Sequence, residues 1–246
     1  MAISVDTVYQ TVLALANKEQ GGYITPQEFN LFANQAQVEI FEQYFFDLYQ
    51  FKRTPQNHNE STNPVDFINE KLDLFRVRAV LAGDVGLDIG DNNNSTFDLP
   101  QDHYRTISVN RRNNSGVGAT VCQRVEWNNY HYISGSPLLA PNDSRPVYTV
   151  YQSNTNRVIT NPSSPNGLDV FYIRKPKTPK WTYVVVNEKA LWNPLGSDKQ
   201  DFELHASEQH NLVVKILKLA GVSIKDYNLA QAAGQNDVQN IQQQKS

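Results

Sequence analysis

The chain has 246 residues, of which 39% are hydrophobic and 19% charged, enough for one sizeable core or for a core with a satellite module. A formal charge of -3 and dispersed basic residues exclude general electrostatic binding to nucleic acid. Cys122 is the single cysteine, which excludes internal disulfides and multi-cysteine metal sites. Because no secretion signal or long apolar run is visible, we expect a soluble product made in a cytoplasm.

Three helices are predicted in the N-terminal part. The first spans residues 6–18, with Gly21-Gly22 ending it. The second begins at Thr25-Pro26-Gln27-Glu28, which combines a threonine cap, a proline in the first turn and a glutamate that can bond back to the cap. It continues to about Gln50 and forms a helical hairpin with the first. Asn63-Pro64 is predicted to start a short third helix that runs through Lys71.

The second helix carries more aromatic side chains than one buried face can use. Its first half has a single apolar stripe, typical of a helix packed on one core. This stripe consists of Phe29, Phe32, Ala33, Ala36 and Ile40. Beyond Ile40 the aromatic residues surround the helix axis, so this half needs cover on more than one side, which a neighbouring subunit can supply. The predicted subunit-interface residues are Phe41, Tyr44, Phe45, Phe46 and Tyr49.

The middle of the chain has short alternating runs separated by Gly, Pro, Asn and Asp, which predict strands. The candidate strands are 74–81, 96–99, 104–109, 120–127, 147–152, 157–160, 168–173 and 182–185. Turn residues predict hairpin tips at 91–95 and 112–116 and an exposed turn at 161–166. These strands are enough for a small sandwich or a curled sheet.

Helix is predicted again near the C-terminus. Ser207 is expected to cap a helix that reaches Ala220, with Gly221 as its stop. The polar sequence beyond Tyr227 buries too little apolar surface to fold alone, so we expect it to be free or to order on a partner.

The predicted fold class is therefore α+β. The N-terminal hairpin and the C-terminal helix form a helical module, and a central antiparallel β-sandwich-like module lies between them in the sequence. The predicted parts are an N-terminal helical part (1–73), the central β module (74–186), the returning C-terminal helix (187–227) and a polar flexible tail (228–246).

Few residues are candidates for chemistry. Asp201, Glu203 and His205 would share one face of an extended strand, which resembles a site for a hard metal ion. The same alternation suits an exposed edge that leads into a capped helix, and we favour that interpretation. His205 and His210 are five residues apart and face different sides of any helix, so shared metal ligation is not expected.

Two further residues have a chemical and a structural interpretation. His103 invites a general-base role, but it follows Pro100 and Asp102 in a predicted turn, and no third group is identifiable. Cys122 lies in an alternating run, where a lone cysteine usually packs as a small apolar residue. We therefore predict a protein that is not an enzyme and that has no catalytic, cofactor-binding or metal residues.

Several short sequence segments resemble segments of structural proteins of tailed bacteriophages, including crAss-like phages. The first is Tyr-Ile-Thr-Pro-Gln-Glu-Phe-Asn-Leu-Phe at 23–32, followed by Gln35-Ala36-Gln37. The others are Leu-Pro-Gln-Asp-His-Tyr-Arg at 99–105, Tyr-Ile-Arg-Lys-Pro-Lys-Thr-Pro-Lys-Trp at 172–181 and Phe-Glu-Leu-His at 202–205. The resemblance spans roughly residues 1 to 227, and none of these strings encodes chemistry.

The order of helix, β module and helix is also similar to that of head-to-tail adaptors of short-tailed phages, which form twelve-fold rings below the portal. This resemblance implies a virion protein of the portal-tail junction, made in the host cytoplasm, that assembles as a homo-oligomeric ring. The implied partners are the portal protein and adjacent tail or ring proteins. DNA would only pass through the channel, and no membrane is involved.

Aromatic residues in the β region leave an alternative function open. Stacked rings there could hold sugars or bases, although packing in the core or at an interface is the favoured interpretation. These residues are Trp127, Tyr130, Tyr132, Tyr148, Tyr151, Tyr172, Trp181 and Tyr183. The alternative is a carbohydrate- or host-surface-binding tail module. A third hypothesis, a tail-associated hydrolase, depends only on Asp201, Glu203 and His205.

Overall fold

A computed structural model describes residues 3–18, 24–53, 64–82, 94–112, 119–152 and 155–223. The described α-helices are Val5–Lys18 (α1), Pro26–Arg53 (α2), Pro64–Asp73 (α3), Trp127–Ser134 (α4) and Gln209–Ser223 (α5). The described strands are Arg76–Leu81 (β1), Ser95–Asp98 (β2), His103–Arg112 (β3), Ala119–Val121 (β4), Gln123–Arg124 (β5), Val147–Gln152 (β6), Asn156–Asn161 (β7), Leu168–Arg174 (β8), Tyr183–Val186 (β9) and Lys189–Trp192 (β10). This mixture confirms the predicted α+β class.

The chain divides into two compact units. A helical unit contains the chain up to Leu74 and from Pro176 onward, and a β unit spans Phe75–Lys175. The predicted β module and the observed β unit therefore differ at their C-terminal limit, because strands β9 and β10 belong to the helical unit. β9 and β10 form a two-stranded antiparallel hairpin, which turns through Asn187 and Glu188 with φ of 51° and 64°.

The start of α2 has the capping box that its sequence predicts. The Glu28 amide donates to Thr25 Oγ1 at 3.3 Å, and the Thr25 amide donates to Glu28 Oε2 at 2.9 Å. The Thr25 hydroxyl also donates to Glu28 Oε2, at 2.7 Å, and the bonds from the Thr25 amide and hydroxyl lower the pKa of Glu28 because they stabilise its charged form. The predicted stop of α1 at Gly21-Gly22 lies outside the described residues.

The predictions for the last helix were wrong at both ends. A turn of 3₁₀ helix, Ala206–Glu208, precedes α5. Its N-cap is His205 rather than Ser207, because His205 Nδ1 accepts a hydrogen bond from the Ser207 amide at 3.3 Å. Gly221 does not end the helix, which continues to Ser223. Gly221 is buried, so the helix is sustained there by packing that outweighs the glycine's low helix propensity.

Trp181 lies in the core of the helical unit. Its ring centroid is 4.2 Å from that of Tyr9, which is in turn 4.7 Å from that of Phe29. The Trp181 indole NH donates to Asp6 Oδ1 at 2.9 Å, and its backbone NH donates to Asn30 Oδ1 at 2.8 Å. These contacts tie the segment after Pro176 to both α1 and α2.

The β unit is a sandwich of two four-stranded sheets. One sheet has the strand order β1-β8-β3-β4 and the other has the order β2-β7-β6-β5. Alternate residues of both sheets share a buried cluster, as in other sandwiches. This cluster contains Phe97, Leu99, Val109, Cys122, Tyr148, Val158, Leu168, Val170 and Tyr172.

The run predicted as one strand over 120–127 is divided. β4 pairs with β3 in one sheet, whereas β5 pairs in parallel with β6 in the other, so the chain changes sheets at Cys122. Trp127 begins helix α4 instead of ending a strand. The prediction failed because apolar alternation does not reveal a change of sheet.

The turn predicted over 161–166 is only partly exposed. Asn161 and Ser164 are buried, and the Asn161–Pro162 peptide bond is cis. The Ser164 amide donates to Ser95 Oγ at 2.9 Å, which holds this turn against β2. The hairpin tips predicted at 91–95 and 112–116 lie largely outside the described residues, as does the polar tail.

Candidate oligomer interface

Helix α2 has one thoroughly buried face. Of the predicted apolar stripe, Phe29, Ala33, Ala36 and Ile40 are each at most 2% exposed, whereas Phe32 is only partly buried. Gln37 is also buried, because its side chain donates to the Lys177 carbonyl at 2.8 Å and accepts from the Glu203 amide at 3.0 Å. The inner face of α2 is therefore fixed by both apolar packing and specific hydrogen bonds.

The five predicted interface residues separate into two groups. Phe41 and Tyr44 are 2% and 5% exposed and therefore lie in the core of their own unit. Phe45 is half-buried, with its ring centroid 5.2 Å from that of Phe41. Phe46 and Tyr49 are 55% and 60% exposed. The structure thus places only Phe46 and Tyr49, and part of Phe45, where another molecule can reach them.

Tyr44 lies beside a buried ion pair. Lys71 Nζ of α3 is 5.5 Å from the centroid of the Tyr44 ring and forms an ion pair with Glu208. The pKa of Tyr44 is raised, first because the hydroxyl is buried and second because the Glu208 charge is close. Contacts from within the same chain therefore cover this side of α2.

The outer face of α2 combines carboxylates with aromatic rings. Glu39, Glu42, Phe46 and Tyr49 recur at intervals of three and four residues, so they form one stripe along the helix. We call these four residues the α2 outer stripe. Glu39 approaches Lys215 Nζ at 4.0 Å, while the side chain of Glu42 is exposed.

Asp201, Glu203 and His205 do not converge on a common site. Asp201 Oδ1 accepts from the Val5 amide at 3.0 Å, and Glu203 Oε2 accepts from the Lys177 amide at 2.8 Å. His205 caps the 3₁₀ turn. Each side chain therefore satisfies a backbone donor, and no group of acidic, histidine or cysteine side chains able to hold a metal ion occurs among the described residues.

His103 is enclosed in the β unit. Its Nε2 lies 2.8 Å from Thr106 Oγ1, and its ring centroid is 5.6 Å from that of Tyr172. Burial lowers the pKa of His103, because desolvation disfavours the charged imidazolium. Asp102 accepts a hydrogen bond from the Tyr172 hydroxyl at 3.0 Å instead of orienting the His103 ring. This arrangement is suited to packing and supplies no nucleophile.

Cys122 behaves as an apolar core residue. It is 4% exposed, and burial raises the pKa of its thiol to about 11. A thiol with such a pKa is almost wholly protonated at neutral pH and is a poor nucleophile. Its position at the change of sheets explains why a small apolar side chain is suitable there.

Half of the eight aromatic residues predicted as a possible ligand platform are buried. Tyr130, Tyr148, Tyr172 and Trp181 are at most 3% exposed. Tyr132 is 74% exposed, and Trp127 is 38% exposed with its ring centroid 5.0 Å from that of Tyr151. Among the predicted platform residues of the β unit, only this small group around α4 keeps accessible rings.

One surface was not predicted from the sequence, the outer face of the β1-β8-β3-β4 sheet. Arg76 and Arg78 alternate with Val77 and Ala79 in β1, so the two arginines lie on the side opposite the core. This alternation was visible in the sequence as Arg-Val-Arg-Ala-Val-Leu. Whether the two arginines belong to a larger basic face depends on which strands lie beside β1, and the sequence pattern does not give the strand order.

A comparison with protein-family models finds no match for this chain, and no curated protein is significantly similar to it. None of the helices in the described parts of the chain is long and apolar enough to cross a membrane.

Proposed function

We propose that this chain is a non-enzymatic virion protein of a tailed bacteriophage, a connector that assembles as a ring below the portal. The observation that carries the proposal is the exposure of Phe46 and Tyr49 on a helix whose opposite face is fully packed. In this proposal the partners are further copies of the chain, the portal protein and adjacent tail or ring proteins. DNA passes through the channel of the ring.

Exposed aromatic side chains support assembly because their burial is favourable. Complete burial of a large apolar side chain contributes roughly 1.5–3 kcal/mol, so covering the exposed halves of Phe46 and Tyr49 contributes about 1 kcal/mol each. Aromatic residues are also enriched among the anchors of protein interfaces. A ring repeats this contribution at every contact between neighbours.

The rigidity of α2 supports the same role. The helix has 28 residues and is therefore about 42 Å long. Its inner face is held by buried apolar residues and by Gln37, so the α2 outer stripe is presented in one orientation before any partner binds. Binding then costs little ordering entropy, which favours a specific contact.

The proposal assigns no catalytic step. Asp201 and Glu203, the carboxylates on which the hydrolase hypothesis depends, accept hydrogen bonds from the backbone amides of Val5 and Lys177. His205 is committed to a helix cap. Replacing all three would therefore affect folding rather than remove a reaction.

Mass photometry of the purified chain, alone and mixed with the portal protein of the same virus, tests the proposal. We expect a discrete oligomer or a complex with the portal. The Phe46→Ser/Tyr49→Ser variant should keep its fold by circular dichroism but should assemble at least tenfold more weakly. Tyr132→Ser, which removes an even more exposed ring outside α2, is the control and should assemble normally. A chain that stays monomeric and never joins portal or tail proteins would refute the proposal.

A second candidate function is carbohydrate or host-surface binding. It is favoured only by the accessible rings of Trp127 and Tyr132 and by the proximity of Trp127 to Tyr151. Sugar binding to a glycan array that disappears in Trp127→Ala, while Tyr183→Ala keeps it, would support this alternative. Absence of glycan binding by the wild-type chain would dismiss it.

A further inference from the structure

We propose that the α2 outer stripe of one copy docks on the outer face of the β1-β8-β3-β4 sheet of the next copy. This inference rests on the proposed ring function and names the two surfaces that would form its repeating contact. The surfaces differ from each other, as a head-to-tail contact requires. The two surfaces are complementary in charge and in shape.

The register of the sheet defines its outer face. Arg76 and Arg105 both pair with Ile173, and Arg78 and Ser108 both pair with Phe171. In the next row, Val80 and Asn110 both pair with Asp169. Directly paired residues project from the same side of a sheet, so these three rows lie on one face. On the central strand of this face Ile173 and Asp169 are only 6% and 7% exposed, so its accessible part is formed mainly by residues of β1 and β3. The intervening residues Val77, Ala79, Val109, Leu168, Val170 and Tyr172 belong to the sandwich core.

This outer face is strongly basic. Arg76, Arg78, Arg105 and Arg112 contribute four positive charges, and Asp169 is the only carboxylate in the four strands. Asp169 is already approached by two of them, by Arg78 Nη2 at 3.0 Å and by Arg112 Nε at 3.7 Å. Among the strand residues of this face, arginines therefore outnumber carboxylates by four to one, in a chain whose formal charge is -3.

The same face has an apolar groove between the arginines. The groove has a volume of about 640 Å³, and its lining includes Arg76, Arg78, Ile107 and Phe171. Ile107 is 48% exposed and lies at a register shift between Thr106 and Ser108. Such an irregularity redirects a side chain relative to a regular strand. The groove can accept an aromatic ring, and arginines at its rim can stack on that ring.

The α2 outer stripe has the complementary properties. The sequence of α2 contains four carboxylates, and its two basic residues, Lys52 and Arg53, are the last two of the helix. Glu39 and Glu42 occupy one end of the stripe, and the exposed rings of Phe46 and Tyr49 occupy the other. The stripe is about 15 Å long at 1.5 Å per residue, and β1 from Arg76 to Val80 is about 13 Å long at 3.3 Å per residue. The two surfaces therefore match in length as well as in charge.

A second copy explains this face better than nucleic acid does. Phosphate groups would pair with the arginines but would leave the groove between Ile107 and Phe171 without a use. The α2 outer stripe supplies carboxylates for the arginines and rings for the groove in one rigid element. Charge complementarity of this kind also selects the correct neighbour and its orientation.

Charge reversal with complementation tests the inference. Arg76→Glu/Arg105→Glu reverses the sheet face without altering Arg78 or Arg112, which approach Asp169. Glu39→Lys/Glu42→Lys reverses the helix stripe. The matched controls are Arg124→Glu/Arg145→Glu in the β unit and Asp66→Lys/Glu70→Lys on α3, which make the same charge changes elsewhere. Circular dichroism checks the fold of each variant, and mass photometry with added salt measures assembly.

We expect each reversed variant alone to assemble at least tenfold more weakly than the wild type, and both controls to assemble normally. An equimolar mixture of the two reversed variants should assemble again, with copies alternating around the ring, because every contact then joins opposite charges. Added salt should weaken wild-type assembly.

Three outcomes would overturn the inference. One is normal assembly of both reversed variants, which leaves the ring proposal intact and removes only this contact. Another is failure of the mixture to recover assembly when each variant is impaired. The third is loss of duplex DNA binding by Arg76→Glu/Arg105→Glu with unchanged assembly, which would assign the sheet face to nucleic acid. A wild-type chain that never assembles, alone or with the portal, would refute both the inference and the proposed function.

Discussion

Lys71 and Glu208 form an ion pair that is enclosed in the helical unit, with side chains only 7% and 5% exposed. Asn211 donates a further hydrogen bond to Glu208 Oε2 at 2.8 Å, and the Lys71 ammonium lies 4.4 Å from the centroid of the Phe67 ring. The pair joins α3 to the turn before α5. The two residues are 137 positions apart in sequence, so this contact depends on the complete fold of the unit.

We expect Lys71→Met to destabilise the protein by about 3 kcal/mol, because Glu208 would keep a buried charge without its partner. Lys71→Met/Glu208→Gln should recover most of this loss, since glutamine is neutral and can still accept the bond from Asn211. Urea unfolding measures both effects. Lys180→Met, which removes an exposed ion pair with Asp198, is the control and should change stability little. Equal effects of Lys71→Met and Lys180→Met would contradict this account.

We expect Gly167→Ala to destabilise the β unit by on the order of 3 kcal/mol. Gly167 has φ of 83°, and an added Cβ would lie 2.2 Å from the Leu81 carbonyl oxygen. Gly135→Ala is the matched control, because its φ is -85° and its nearest neighbour to a Cβ is 3.4 Å away. Thermal unfolding of the two variants decides the matter, and similar melting temperatures would show that the Gly167 backbone can relax.

The pKa of His103 predicts a loss of stability in acid. The folded-state pKa is lowered by burial, so the unfolded chain binds a proton more readily than the folded chain. This contribution is fully present above the ordinary histidine pKa of about 6.5 and is lost as the pH falls through the lower folded-state pKa. Unfolding free energies measured from pH 8 to pH 5 should decline less steeply in His103→Gln. Equal slopes in the wild type and His103→Gln would disprove the assignment.

Ala36→Asp should impair folding before it impairs assembly. Ala36 is fully buried on the inner face of α2, and an unpaired charge there costs several kcal/mol. Gln35→Asp, at the exposed neighbouring position, is the control and should leave the denaturation midpoint nearly unchanged. Phe46→Ser is expected to have the opposite profile, with a near-normal midpoint and weaker assembly. A normal denaturation midpoint for Ala36→Asp would show that α2 does not pack as described.

Local sequence patterns were sufficient to predict most of the helices and strands. Thr25 and Glu28 specify the start of α2 because a capping box needs only residues three apart, and the structure contains both of its bonds. The 3.6-residue period likewise identified Phe29, Ala36 and Ile40 as the inner face of α2. These features depend on interactions within one helix turn or on one face, so the sequence determines them by itself.

The tertiary structure decided which aromatic residues remain accessible. All five of the predicted interface residues lie within nine positions of one helix, and only long-range contacts cover Tyr44 and leave Phe46 and Tyr49 exposed. Trp181 was expected in the β region, yet it packs with Tyr9 of α1. Burial of a given side chain depends on partners far away in sequence, and periodicity states only which residues share a face. Arg76 and Arg105 likewise lie on one face only because both pair with Ile173, and this strand order is set by the tertiary structure.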